Sequence, residues 1–417
     1  MNKLLQTKLS LMMFLEFFIW GAWYSTVAVY MSVNGMENLT HWPFTVNPIA
    51  AIIAPFFVGF IADRYFATEK VLGFLHILGA VFMFLTPMAV NSPLVFILLL
   101  LAYNICYMPT MSLANSLSFH HINDQEKDFP IIRVFGTIGW IVAGLAISFG
   151  LGYFLAENTI PEETALPLYL TSAASLLLGL YSFTLPHTPP PAAGEEVSVR
   201  SIAGIDAIKK LGSKSFYVFL FSSFLICIPL AAYYNFTQIF LGDTGFENIA
   251  ATLTIGQMSE ALFMVLIPAM FVRLGVKWML AAGMFAWVLR YAFFAVGATD
   301  PIIWMIITGI ALHGICYDFF FVTGQIYVDK KAPESIRGQA QGLIILITYG
   351  VGMLIGAQVA GQLYNLFLGE ASSLSLAQWH DFWWIPAIFA AAVMVFFIIF
   401  FNDQVLDEDA TAEDITV

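Results

Sequence analysis

Eight residues scattered along the sequence carry chemistry that an apolar chain does not otherwise need. Arg133, Thr137 and Trp140 fall at i, i+4 and i+7 and so share one face of any helix that holds them. Gln257 and Glu260 share a second face, and His313 and Tyr317 a third, with Asp318 next to it. Aromatic faces at Trp140 and Tyr317 can stack a flat ring for ~1–3 kcal/mol. The Gln257 amide can satisfy a polar ring edge, and carboxylates at Glu260 or Asp318 can accept hydrogen bonds from hydroxyls. Wherever Glu260, Asp318 and Glu16 share a site with the single Arg133 they cannot all hold a negative charge, and at least one is then suited to take up a proton.

Composition says what must position them. Of 417 residues 60% are hydrophobic and only 11% charged, against roughly 25% charged in a soluble domain. Twelve apolar runs, each close to the ~20 residues that cross a ~30 Å hydrocarbon core, lie near 9–31, 44–63, 71–90, 94–119, 130–153, 166–186, 215–241, 248–272, 277–297, 301–328, 336–367 and 379–401. The expected fold class is therefore an all-α membrane protein with twelve transmembrane helices. The first run lacks a small-residue cleavage site and reads as a retained helix. An ion near the bilayer centre costs at least ~2.5–3.5 kcal/mol, so Glu16, Arg133, Glu260, Arg290 and Asp318 need a partner, a cavity or both. His76 and His313 join that group.

Lys3, Lys8, Arg64, Lys70, Lys127, Arg133, Arg200, Lys209, Lys210, Lys214, Arg273, Lys277, Lys330, Lys331 and Arg337 fall on one side of this count, which places both termini in the cytoplasm. Only Arg290 breaks the pattern. Cys106, Cys227 and Cys316 lie inside runs and read as small apolar packing residues rather than disulfides. The net charge of −12 gathers in the outer loops and the acidic tail. No Gly-Lys pair exists for a Walker loop, and HExxH, GxSxG and paired CxxC patterns are absent. No cofactor or metal is expected, and an enzyme is not the leading reading.

The polar stretch "HTPPPAAGEEVSVRSIAGIDAIKKLGSKS" divides six runs from six. This gives an N-terminal six-helix bundle at 1–186, a cytoplasmic linker at 187–214, a C-terminal six-helix bundle at 215–401 and an acidic cytoplasmic tail at 402–417. The halves echo one another: "GFIADRYFATEK" follows the second run and "PAMFVRLGVK" the eighth, as in transporters built from repeats. Gly59, Asp63, Arg64 and Lys70 resemble the gating loop of the major facilitator superfamily, with Phe66 and its neighbours replacing the usual glycine and second arginine.

Five blocks in order, "YMPT" at 107–110, "DFPIIRVFGTIG" at 128–139, "GQMSEALF" at 256–263, "YDFF" at 317–320 and "AQG" at 340–342, resemble the bacterial nucleoside-proton symporter family. That resemblance implies two pseudo-symmetric six-helix bundles in which the fifth, eighth and tenth helices border a central cavity. Arg133, Thr137, Gln257, Glu260 and Asp318 then match positions that contact substrate or couple the proton. Trp140 and Tyr317 stand at aromatic positions, and His313 replaces an aromatic residue with a titratable one. On the seventh helix the family's polar pair falls on Ala231 and Tyr234, with Asn235 and Gln238 nearby. Glu16 has no counterpart in the pattern, while Arg290 and His76, on outer helices, read as structural.

The expected function is proton-coupled import of nucleosides across the bacterial inner membrane by alternating access, with Asp318 or Glu260 carrying the proton. The expected partners are the nucleoside, the proton and the lipid bilayer, with no nucleic acid and a functional monomer. Phosphorylated nucleotides suit one arginine and several carboxylates poorly. The competing readings are a same-fold symporter for another neutral polyhydroxy solute such as a sugar and, further off, a membrane enzyme or a channel.

Overall fold

The computed structural model describes residues 3–57, 65–122, 125–156, 158–190, 205–333 and 336–402. Asp63 and Arg64 of the expected gating loop, most of the central linker and the acidic tail lie outside the described residues. Every regular element among the described residues is helical, as hydrocarbon demands when each backbone N–H must find its acceptor within its own segment.

Nine helical segments among the described residues are long and apolar enough to cross a bilayer. One of them, Ile249–Ala298, runs for 50 residues and turns at Gly275, where φ is 65° and ψ is 172°. That conformation suits glycine, and it divides the segment into two spans. With the shorter apolar helices Trp42–Phe57 and Leu166–Ser182, these elements account for the twelve predicted runs.

The chain clusters into two compact units, one of Met1–Ser198 with Tyr234–Thr254 and one of Val199–Tyr233 with Ile255–Val417. The first contains α1 (Lys3–Tyr24), α2 (Val27–Ser32), α3 (Trp42–Phe57), α4 (Thr68–Leu85), α5 (Pro93–His121), α6 (Gln125–Leu145) and α7 (Leu166–Ser182). Small residues let its helices approach closely. A Cβ at Gly139 on α6 would lie 2.1 Å from the Phe14 carbonyl oxygen of α1, and one at Gly21 would lie 3.0 Å from Trp140. On the opposite flank Ser172 and Ser175 of α7 donate to the Ala80 and His76 carbonyls of α4, at 2.7 and 3.0 Å.

Residues 234–254 join this unit through specific bonds. The Gln238 Oε1 accepts from the Ala28 N–H at 3.1 Å and its Nε2 donates to the Tyr24 carbonyl at 3.2 Å. The buried Glu162 Oε1 accepts from the Ala250 N–H at 2.9 Å and from the Ser148 hydroxyl at 2.6 Å. Ser148 in turn accepts from the Ala251 N–H at 3.0 Å. A carboxylate at the start of a helix meets both orphan N–H groups and the positive end of the dipole.

The second unit takes in α8 (Ile205–Leu211), α9 (Lys214–Asp243) up to Tyr233 and α10 (Ile249–Ala298) from Ile255. It continues through α11 (Ile303–Ala311), α12 (His313–Tyr317), α13 (Thr323–Lys331), α14 (Arg337–Ile345), α15 (Met353–Leu368) and α16 (Leu376–Phe400). Two π-helical turns interrupt it, at Asp318–Val322 and Leu346–Gly352, and a third lies at Ala146–Leu151 in the first unit. Such turns open the regular ladder and recur at functional positions. Gly314 lets α12 approach α10, since a Cβ there would lie 2.5 Å from the Ser259 carbonyl oxygen. The Ser259 hydroxyl also donates to the Ala311 carbonyl.

Candidate functional site

In the second unit, the π-helical turn between α12 and α13 starts at Asp318. The Asp318 side chain is fully buried, and neither carboxylate oxygen has a hydrogen-bond partner among the described residues. A buried carboxyl without a donor is costly as an ion. Glu260 on α10 lies within electrostatic reach of it. The Glu260 Oε2 is 3.8 Å from His313 Nε2, with the glutamate side chain 19% exposed and the histidine 2%.

The His313 ring stacks on Tyr233 at 5.4 Å between centroids and leans on Tyr317 at 5.9 Å. Gln257, one turn before Glu260, is half-buried, and its Oε1 has no partner among the described residues. Glu260, His313, Tyr317 and Asp318 thus form one cluster in this unit, with Gln257 on the Glu260 face of α10. Arg290, expected to be structural, is fully buried behind it. Its guanidinium lies 4.0 Å from the Tyr233 ring centroid and its Nε donates to the Gly309 carbonyl at 3.1 Å.

In the first unit, Arg133, Thr137 and Trp140 are half-buried along α6. The Arg133 guanidinium lies over the Phe17 ring of α1 at 4.1 Å, an arrangement in which an aromatic face carries part of the desolvation of the cation. Trp140 packs edge-on against Trp20 at 5.4 Å and Tyr24 at 6.2 Å, and Tyr24 meets Tyr234 at 5.6 Å. Phe17, Trp20 and Tyr24 are absent from the sequence-based set. Their i, i+3, i+7 spacing on the first run was a legible signal, but an aromatic stripe is also what ordinary helix packing uses. Gln238, near Ala231 and Tyr234 of the seventh run, has its amide taken up by backbone groups of residues 24 and 28.

The sequence reading leaves the role of Glu16 open. Glu16 is fully buried in the first unit and bonded to His76 and Thr110.

Bundles of membrane-crossing helices with ionisable side chains held inside them are the build of a multi-pass membrane transporter. The chain belongs to the nucleoside H+ symporter family, whose model matches residues 3–405. It is 41% identical over 410 residues to the Escherichia coli (strain K12) transporter YegT, covering 97% of this chain and 95% of that protein. It is 31% identical over 423 residues to the xanthosine permease of the same organism, covering 95% of each. The crystal structure of the nucleoside transporter NupG superposes with a TM-score of 0.84 at 28% identity, over 97% of this chain and 100% of that one. The major facilitator fold expected from the sequence is the observed one.

Proposed function

We propose that this chain imports nucleosides together with protons across the bacterial inner membrane by alternating access. The observation that carries this reading is the fully buried Asp318, whose two carboxylate oxygens have no donor among the described residues, beside Glu260 and His313. A nucleoside is neutral, flat at the base and hydroxylated at the sugar. Trp140 and Tyr317 supply stacking faces, Gln257 an amide for the base edge, and Glu260 acceptors for sugar hydroxyls. Arg133 and Thr137 supply donors from α6, and Asp318 or Glu260 carries the proton. The halves at 1–186 and 215–401, joined by the linker at 187–214, are the moving bodies.

The test is uptake of radiolabelled nucleosides and sugars into proteoliposomes with and without an imposed pH gradient. Saturable nucleoside uptake is expected, and for one proton per nucleoside each pH unit of gradient, worth about 1.4 kcal/mol, supports about tenfold accumulation. Uptake of a sugar with no entry of any nucleoside would replace this substrate class by the polyhydroxy alternative.

The basic residues of the alternate loops orient both termini to the cytoplasm. A reporter that is active only in the cytoplasm is expected to work when fused after Val417. Activity of a periplasm-specific reporter at that position would reverse the topology.

A further inference from the structure

The first unit contains an ionisable pair that the transport reading leaves unused. Glu16 on α1 and His76 on α4 meet with Oε2 and Nε2 2.9 Å apart, each side chain 1% exposed. Thr110 of α5 lies 2.5 Å from Glu16 Oε1, and the Tyr107 hydroxyl donates to the Glu16 backbone carbonyl at 2.7 Å. Ser175 of α7 lies 3.2 Å from His76 Nδ1. The pair therefore ties together four helices.

Ser175 has one hydroxyl hydrogen and two acceptors in reach, the His76 carbonyl at 3.0 Å and His76 Nδ1 at 3.2 Å. The hydrogen in the 2.9 Å contact on the other side of the ring sits on the imidazole Nε2 or on the carboxyl. Gain or loss of a proton changes the charge of a pair closed to water, where charge is costly unless it is paired, and so changes how firmly the helices are held at this contact.

The remaining neighbours say where such a change would act. The titratable groups packed about the pair are Tyr103, Cys106 and Tyr107 of α5. Pro109, beside Thr110, removes a backbone donor from α5 at this level. The residue after Glu16 is Phe17, whose ring supports the Arg133 guanidinium at 4.1 Å. A shift of α1 at Glu16 thus reaches the polar face of α6 through one residue.

We propose that Glu16 and His76 form a second proton-binding site, whose loading and unloading set the position of α1 against α4, α5 and α7 and, through Phe17, the position of Arg133. This inference rests on the proton-coupled transport reading. Glu16→Gln and His76→Gln are the test, because each amide can preserve the hydrogen bonds while removing the exchangeable proton.

Three measurements separate the outcomes. Counterflow exchange of nucleoside without a pH gradient is expected within about threefold of the parent, a difference below 1 kcal/mol. Accumulation driven by a pH gradient is expected to fall at least about tenfold and to lose its dependence on external pH. Parent-minus-Glu16→Gln infrared spectra across a pH titration are expected to show a titrating carboxyl or carboxylate band. Unchanged accumulation and pH profile in both variants, or no titrating band, overturns the proposal and leaves the pair a packing element. Failure of either variant to fold also counts against it, since the hydrogen bonds alone should suffice. If the parent exchanges no nucleoside at all, the substrate reading fails, and the infrared titration still decides the proton site.

Discussion

Replacing Asp318 by asparagine is expected to abolish nucleoside accumulation driven by a pH gradient while leaving counterflow exchange largely intact. Asparagine matches the shape of the protonated acid but cannot give up the proton. The site accepts that change because the side chain is fully buried and has no donor among the described residues to lose. Removing a group from an ion pair would strand its partner at a cost of ~3–5 kcal/mol; Asp318 has no such partner among the described residues. Glu260→Gln is the matched comparison. Glu260 is partly exposed and 3.8 Å from His313, so its loss is expected to weaken substrate binding as well as coupling. The variant that loses accumulation and keeps exchange marks the coupling group. Loss of both activities with normal thermal stability marks a substrate contact. If both variants concentrate nucleoside as well as the parent, coupling through these two carboxylates is wrong.

Gly139→Ala is expected to destabilise the first unit and to reduce transport at least about tenfold. A Cβ at Gly139 would sit 2.1 Å from the Phe14 carbonyl oxygen, where real contacts stay above 3.0 Å. The obstacle is backbone, so no side-chain rotation relieves it, and α1 must move away from α6 by roughly 1 Å. Overpacking of this kind costs ~1–3 kcal/mol or more. The same movement disturbs Phe17 under Arg133 and Trp20 against Trp140, and misplacement by about 1 Å in a binding site can cost ~100-fold in rate. Gly338→Ala is the control, because a Cβ there meets nothing within 4 Å. Thermal unfolding of both variants, paired with uptake, checks the expectation. A Gly139→Ala protein as stable and active as the Gly338→Ala protein would show that the close contact of α1 with α6 does not govern the site.

The sequence by itself determined the helical class, the twelve spans and the identity of the suspect polar residues. The reason is that lipid leaves the backbone little choice: a long apolar run must satisfy its own hydrogen bonds as a helix, and an ionisable residue inside it is conspicuous because it is costly. Spacing also showed which residues share a helix face, as for Arg133, Thr137 and Trp140. Periodicity says nothing, however, about which other helix that face meets.

That decision belonged to the tertiary structure. Glu16 finds His76 60 residues away and Thr110 94 residues away, and Gly139 admits α6 to α1 while Gly73 and Gly179 admit α4 and α7 to one another. Gln238 lies on the seventh run, yet its amide bonds to the backbone of Ala28 and Tyr24 in the first. Asp318 was recognisable as an acid in an apolar run, but its lack of a donor among the described residues and its place at the start of a π-helical turn arise only when α10, α12 and α13 are packed. Side-chain type and period are local properties of the chain, whereas a hydrogen-bond partner across helices is a property of packing.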